Sequence, residues 1–326
     1  MGDAAARRVR FLLALVLTWG AAGCALDEVM LVDPEDVVVA EAYLQIDVPR
    51  PGGGVEDRLT VFLHRTLGPG GTSDPVPGAA VRVMRPSDGF TLELAPSPPE
   101  DCLVSSPVDG DGSCYGISPE AVVFRPGDTL ELAVDLPDGG MLESQSVVPG
   151  GFRLRRSDGR LPVRDVCALP RGEPVTLVWS RSRGAWAYVA ETVLHRVTEA
   201  LEPLGVTVDA ENDPLYLLGL SISAADTTIS YPGEFGLFDR FDLDQDLALA
   251  LQEGFPPPGR GDVTITAADR NFVNWVRGGN FNPSGQVRVP SIRGDGTGVF
   301  GTTVVRSLTL VSVADSDSGF RRCPGT

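Results

Sequence analysis

Lysine is absent from all 326 residues, so each of the 27 basic side chains is an arginine. A Walker A loop needs its lysine at the phosphates and Schiff-base chemistry needs a side-chain amine, so both classes are excluded. Histidine is scarce: His64 and His195 are the only two, and neither HExxH nor GxSxG occurs. Aromatic residues make up 7% of the chain. The apolar run Phe11 to Thr18 is too short to span a bilayer. Positive charge is heavily outweighed, and the net charge of −17 makes the chain a poor partner for nucleic acid or anionic lipid headgroups.

Turn formers are plentiful, with 38 Gly and 27 Pro. A hydrophobic content of 42% is enough to build a core. Together these suit a mostly β protein of many short strands joined by turns.

The N-terminus carries a basic patch at Arg7, Arg8 and Arg10, the apolar run, and then the small residues Ala21, Ala22 and Gly23 directly before Cys24. This is the layout of a secretory signal. Its small-small-Cys ending resembles the lipobox of bacterial lipoprotein signals. The resemblance implies cleavage before Cys24 and lipid attachment at Cys24, with several acyl chains on one residue giving a stable anchor. In that family, Ala25 in place of Asp favours the outer membrane. The expected localisation is export with lipid anchoring in the bacterial cell envelope. If Cys24 is also N-acylated, the mature chain holds no free primary amine. Residues 24–36 read as an acidic tether.

Beyond the tether, length suggests about two domains. Val37 to Ile46 (VVVAEAYLQI) reads as a strand, and Leu59, Val61 and Leu63 alternate with Thr60, Phe62 and His64 in a second. Val81 and Val83 alternate with Arg82 and Met84, Asp88-Gly89 supplies a turn, and Phe90, Leu92 and Leu94 alternate with Thr91 and Glu93, a hairpin. Pro96 to Ser113 reads as loop. Leu130, Leu132 and Val134 form a further strand, followed by a turn at Asp138-Gly139-Gly140 and a strand through Val148. The pattern predicts an antiparallel sandwich over 37–150. The stretches VPGAAVRVMRPSDG, CYGISPEAVVFRPGDTLELAV and VVPGGF resemble the carboxypeptidase-regulatory or Ig-like (transthyretin-like) sandwich of bacterial outer-membrane lipoproteins.

Residues 151–172, rich in Arg, Pro and Gly, read as a linker to a second domain over 173–326. PVTLVWS followed by GAWAYV resembles the early strands of a fibronectin type III sandwich. From 185 to 201 a strand competes with a helix, because Trp186, Val189, Val193, Val197 and Leu201 recur at helical spacing. Leu215 to Ser223 and Thr227 to Tyr231 are expected strands, and Asp244 to Gln252 a helix. Thr266-Ala-Ala-Asp269 reads as a capping box ahead of a short helix over Arg270 to Arg277, and Val304 to Val313 as the last strand. The segments ADRNFVNWVRGGN and GTGVFG are similar to domain-of-unknown-function lipoproteins of Gram-negative envelopes. That resemblance implies association with TonB-dependent outer-membrane receptors, and it brings no catalytic residues.

The cysteines other than Cys24 are Cys102, Cys114, Cys167 and Cys323, an even set with three pairings that suits an oxidising compartment. The favoured pairs are Cys102–Cys114 and Cys167–Cys323. Asp242, Asp244, Asp246 and Glu253 match the first, third, fifth and twelfth positions of a calcium loop. Leu247 stands where the sharp turn wants Gly, so a helix start competes and no cofactor is expected beyond a weak Ca2+ candidate. The Gly- and Asn-rich stretch 278–301, with Trp275, Asn280, Phe281 and Phe300, is the candidate binding loop, set against a role for these aromatics in the core. Two RGD tripeptides, at 260–262 and 293–295, read as chance. The expected function is a non-enzymatic binding or accessory module beside an outer-membrane receptor. The alternatives are a free-standing binder of glycan or peptide and a hydrolase whose residues meet only in the fold.

Overall fold

The computed structural model describes residues 36–47, 57–66, 74–102, 112–117, 124–155, 166–170, 175–208, 213–221, 223–231, 251, 255–277, 288–314 and 323. Its architecture is mostly β, and the described residues belong to one compact unit. The strands of the first half are β1 (Val38–Asp47), β2 (Arg58–Arg65), β3 (Ala80–Arg85), β4 (Phe90–Ser97), β5 (Ser113–Gly116), β6 (Thr129–Asp135), β7 (Met141–Val147) and β8 (Leu154–Arg155). Those of the second half are β9 (Val166–Pro170), β10 (Val175–Trp179), β11 (Ala187–His195), β12 (Leu215–Ser221), β13 (Thr228–Tyr231), β14 (Arg260–Ala268), β15 (Arg293–Gly294) and β16 (Gly296–Val313). Short helices accompany them: α1 (Pro99–Cys102), α2 (Val197–Leu201), continued by a 3-10 helix over Glu202–Leu204, and α3 (Arg270–Arg277).

Among the described residues the strands make a 13-stranded mixed sheet, in the order β12-β11-β14-β16-β1-β2-β5-β4-β3-β6-β7-β15 with β9 also on β16, and a three-stranded sheet β13-β10-β8. The large sheet folds over on itself at β4. Residues 90–94 of that strand pair with β3, while residues 95–97 pair with β5. A strand that changes partners along its length turns the corner between two packed layers. Alternation drives the packing: Leu130, Leu132 and Val134 of β6 are buried while Glu131 and Ala133 face outward. Those inward residues share one cluster with Leu44, Leu59, Leu63 and Phe300. The small sheet is held to the large one by Trp179, whose ring meets Tyr188 edge-on at 5.3 Å, and by Phe152 at 5.9 Å from the same tyrosine.

The strand β16 spans the fold. Its first ten residues run parallel to β1, from Val38↔Gly296 to Asp47↔Val305. Its later part pairs with β14 on one edge and, again in parallel, with β9. The large sheet is therefore mixed rather than purely antiparallel, because partners from opposite ends of the chain meet side by side, while the small sheet is antiparallel throughout. Pairing also crosses the boundary that residues 151–172 suggested, since β1 joins β16 and β7 joins β15. Strands buried on both faces read as unbroken apolar runs. Eight consecutive residues of β16, Gly298 to Val305, are buried in this way.

Three local expectations change. The last strand begins at Gly296, eight residues before Val304, within the stretch that read as loop. Glycines are required there: Gly298 has φ +133°, and a Cβ on it would run into the Ala40 backbone carbonyl. The competition over 185–201 resolves into strand and then helix. Tyr188, Ala190, Thr192 and Leu194 are buried at every second residue, Arg196 turns the chain at φ 62°, and α2 follows. Pro96 to Ser113 is not all loop, because β4 runs to Ser97 and α1 follows.

Candidate functional site

Outward-facing residues of β3, β6 and β7 form the floor of a groove of about 750 Å³. Met84, Glu131, Ala133, Glu143 and Gln145 line the floor, and Arg270, Asn271 and Asn274 of α3 with Val289, Pro290 and Arg293 line the walls. That volume lies in the range of small-molecule sites, roughly 300–1,000 Å³.

The position of α3 fixes the wall, and a buried carboxylate fixes α3. Asp269 is 3% exposed and accepts from the Phe272 N–H at 2.9 Å, from the Thr302 N–H at 3.2 Å and from Ser146 Oγ at 2.7 Å. It is thus the N-cap, joining helix, β7 and β16. The expected capping box is corrected here, because Thr266 lies in β14 opposite Val305 and cannot be the cap. Burial pushes the Asp269 pKa up against these donors. Asn271 completes the seam, donating from Nδ2 to the carbonyls of Gln145 at 2.9 Å and Phe300 at 3.0 Å.

The other flank of α3 is aromatic. Phe272 meets Tyr43 edge-on at 5.9 Å, and Arg288 lies 5.1 Å over the Trp275 ring while pairing with Glu41 at 3.6 Å. Burial pushes the Tyr43 phenol well above its ordinary range, and its oxygen shares a hydrogen bond with Trp275. Trp275 is 8% exposed and Phe300 is fully buried, so both serve the core rather than presenting an apolar binding surface. Asn280 and Phe281 lie outside the described residues, as do Cys24 and the calcium-loop candidates Asp242, Asp244, Asp246 and Glu253. Among the described residues no group of three or more His, Cys, Asp or Glu is placed to hold a metal ion.

Both favoured disulfides are present, Cys102–Cys114 joining α1 to β5 and Cys167–Cys323 joining β9 to the C-terminal segment. Neither histidine lines the groove. His64 Nδ1 lies 3.3 Å from the Arg65 carbonyl. His195 Nε2 lies 3.1 Å from Asp262, whose other oxygen accepts from Thr309 Oγ1 at 2.6 Å. The same Asp262 closes the first RGD within β14 by binding Arg260 at 3.0 Å. Asp295 of the second RGD accepts the Met141 N–H at 2.9 Å and secures β15 on β7. The first tripeptide thus lies within β14, and the second ties β15 to β7.

The groove residues were not singled out in the sequence. Glu131, Glu143 and Gln145 are the polar members of ordinary alternating strands, and Arg270, Asn271 and Asn274 belong to a helix recognised only as a helix. Trp186 was counted on a helical stripe, yet it stands 46% exposed with Arg270 lying 5.3 Å over its ring. A half-exposed tryptophan beside a polar groove is the signal that composition hides.

No protein-family model and no curated protein matches the chain. Among solved structures it is similar to "Crystal structure of DIP-gamma IG1+IG2", at 10% identity and a TM-score of 0.18, covering 87% of this chain and 100% of that one. It is also similar to "Crystal structure of Dpr11 IG1 bound to DIP-gamma IG+IG2", at 9% identity and a TM-score of 0.17, covering 86% and 99%. At these scores the likeness carries no argument about activity, and the site rests on its own geometry.

Proposed function

We propose that this chain is an exported, lipid-anchored protein of the bacterial cell envelope whose body is a binding module, working beside an outer-membrane receptor. The observation that carries the binding role is the groove itself. It has an open floor with charged and amide side chains, and its walls are set by a buried cap and by β15. Two disulfides support the exported setting. The lipobox-like leader ending at Cys24 supports the anchor. Among the described residues no helix is long and apolar enough to cross a membrane, and the leader's lipid is the proposed attachment.

The test is purification of the tagged protein from detergent-solubilised outer membranes after photoreactive or carboxylate-directed crosslinking. Amine-directed reagents are unsuitable for a chain without lysine. The expected result is a barrel receptor recovered in fixed proportion and lost with Cys24→Ala. A Cys24→Ala protein that stays in the membrane fraction would overturn the anchor. Recovery of the protein alone would overturn the receptor association.

A further inference from the structure

Resting on the reading of the groove as the ligand site, we infer that it takes a neutral polysaccharide strand. The surrounding chain is strongly acidic, yet the groove is balanced, with Glu131 and Glu143 set against Arg270 and Arg293. A ligand of either charge would meet like charge and gain little. A neutral polyhydroxyl ligand can use both signs, because carboxylates accept from hydroxyl pairs and guanidiniums donate to them.

The amides of Gln145 and Asn274 add planar groups that donate and accept side by side, the chemistry that adjacent ring hydroxyls present. Gln145 already donates to Glu131 at 3.2 Å, which aligns the two on the floor. Arg270 of the groove wall lies over the ring of Trp186, which does not itself line the groove, so the half-exposed indole offers a strand running past Arg270 the apolar surface that the guanidinium leaves uncovered. A pyranose has the matching character, with polar edges and a flat apolar C–H face.

An extended peptide is the weaker fit, because it would gain its main-chain hydrogen bonds by adding to a free strand edge. The floor is the face of a sheet, and the edge of β7 is already used. Its Glu143 and Leu142 pair with β15. The Met141 carbonyl accepts from the Asp295 N–H, the Gln145 carbonyl from Asn271 and the Val147 carbonyl from Thr302 Oγ1.

The experiment is titration of the full detergent-solubilised protein with cellohexaose, maltohexaose and chitohexaose, read by calorimetry and tryptophan fluorescence. Polygalacturonate and a library of extended peptides are run beside them. The expected result is binding of at least one neutral hexaose, weakened tenfold or more by Asn274→Ala and by Glu143→Ala, with unchanged melting curves. Trp186→Ala is expected to weaken it similarly and to abolish the fluorescence change. Peptide binding that Asn274→Ala removes, without sugar binding, would overturn the polysaccharide and keep the groove. Equal binding of polygalacturonate would overturn the neutral class. Sugar binding indifferent to all three substitutions, or no binding by any probe, would overturn the groove as well.

Discussion

The two flanks of α3 show the same eight residues doing opposite work. On one flank Phe272 and Trp275 close over Tyr43 and the outer face of β1 and β16, leaving Trp275 8% exposed. On the other, Arg270, Asn271 and Asn274 stand over β7 and leave a groove of about 750 Å³ open. The covered flank is aromatic, and the open flank is amide and charge. A helix this short has little stability of its own, so the buried Asp269 cap and the aromatic flank hold it in place. The covered side is what makes the open side a defined shape.

The largest expected effect falls in the packed core, on the face of β16 opposite the one that Phe272 covers. Phe300→Ala deletes a fully buried ring from the core and is expected to cost about 3–5 kcal/mol, measured by chemical denaturation. If Phe300 were a ligand contact, the variant would instead lose affinity at nearly unchanged stability, and that outcome would sink the assignment of Phe300 to the core.

Asp269→Ala attacks the joint between the flanks. It removes the helix cap and leaves the Phe272 and Thr302 N–H groups without their acceptor, while Ser146 Oγ keeps Thr302 Oγ1 at 2.9 Å, an expected loss of about 2 kcal/mol. Because Asp269 does not line the groove, it is a positioning residue. Hexaose affinity should fall although no contact to the ligand is removed. Asp269→Asn, which keeps an acceptor oxygen, should restore most of both. Full stability in the alanine variant would show that α3 is held by its aromatic flank alone.

The two flanks were not equally visible in the sequence. Strands such as β6 were legible because Leu130, Leu132 and Val134 alternate with polar residues, and a period of two has one structural meaning. The helix α3 was legible too, but its cap was misplaced by three residues, since Thr266 and Asp269 are both good caps and only the β14 ladder chooses between them. The start of β16 was hidden because its glycines imitate a loop, when their cause is the nearness of the Ala40 carbonyl across a parallel pairing. No local pattern announces a partner some 260 residues away. The groove was hidden for a related reason: Glu143, Asn274 and Arg293 are unremarkable where they stand, and only the closing of β15 onto β7 brings them together.

The comparison between covered and open regions extends to carboxylates and gives the smallest effect. Asp57 is 9% exposed, and among the described residues its Oδ1 has no hydrogen-bond partner. Burial pushes its pKa up to about 6, opposed by the Phe124 N–H and assisted by the charge of Asp47. With the folded pKa above the ordinary carboxylate value, the folded state binds the proton more tightly than the unfolded chain does. Stability from this group is therefore full below about pH 4 and is lost as pH rises through about 6, an expected fall of about 1–2 kcal/mol after allowing for solvent relaxation. Asp57→Asn should match the parent near pH 4 and exceed it by that amount near pH 7.5, in denaturant melts across the range. The comparison must be between variant and parent, because burial also pushes the Glu191 and Asp269 carboxyls up. If the two stability curves run parallel from pH 4 to 7.5, Asp57 is not the buried, proton-holding carboxylate that its surroundings imply.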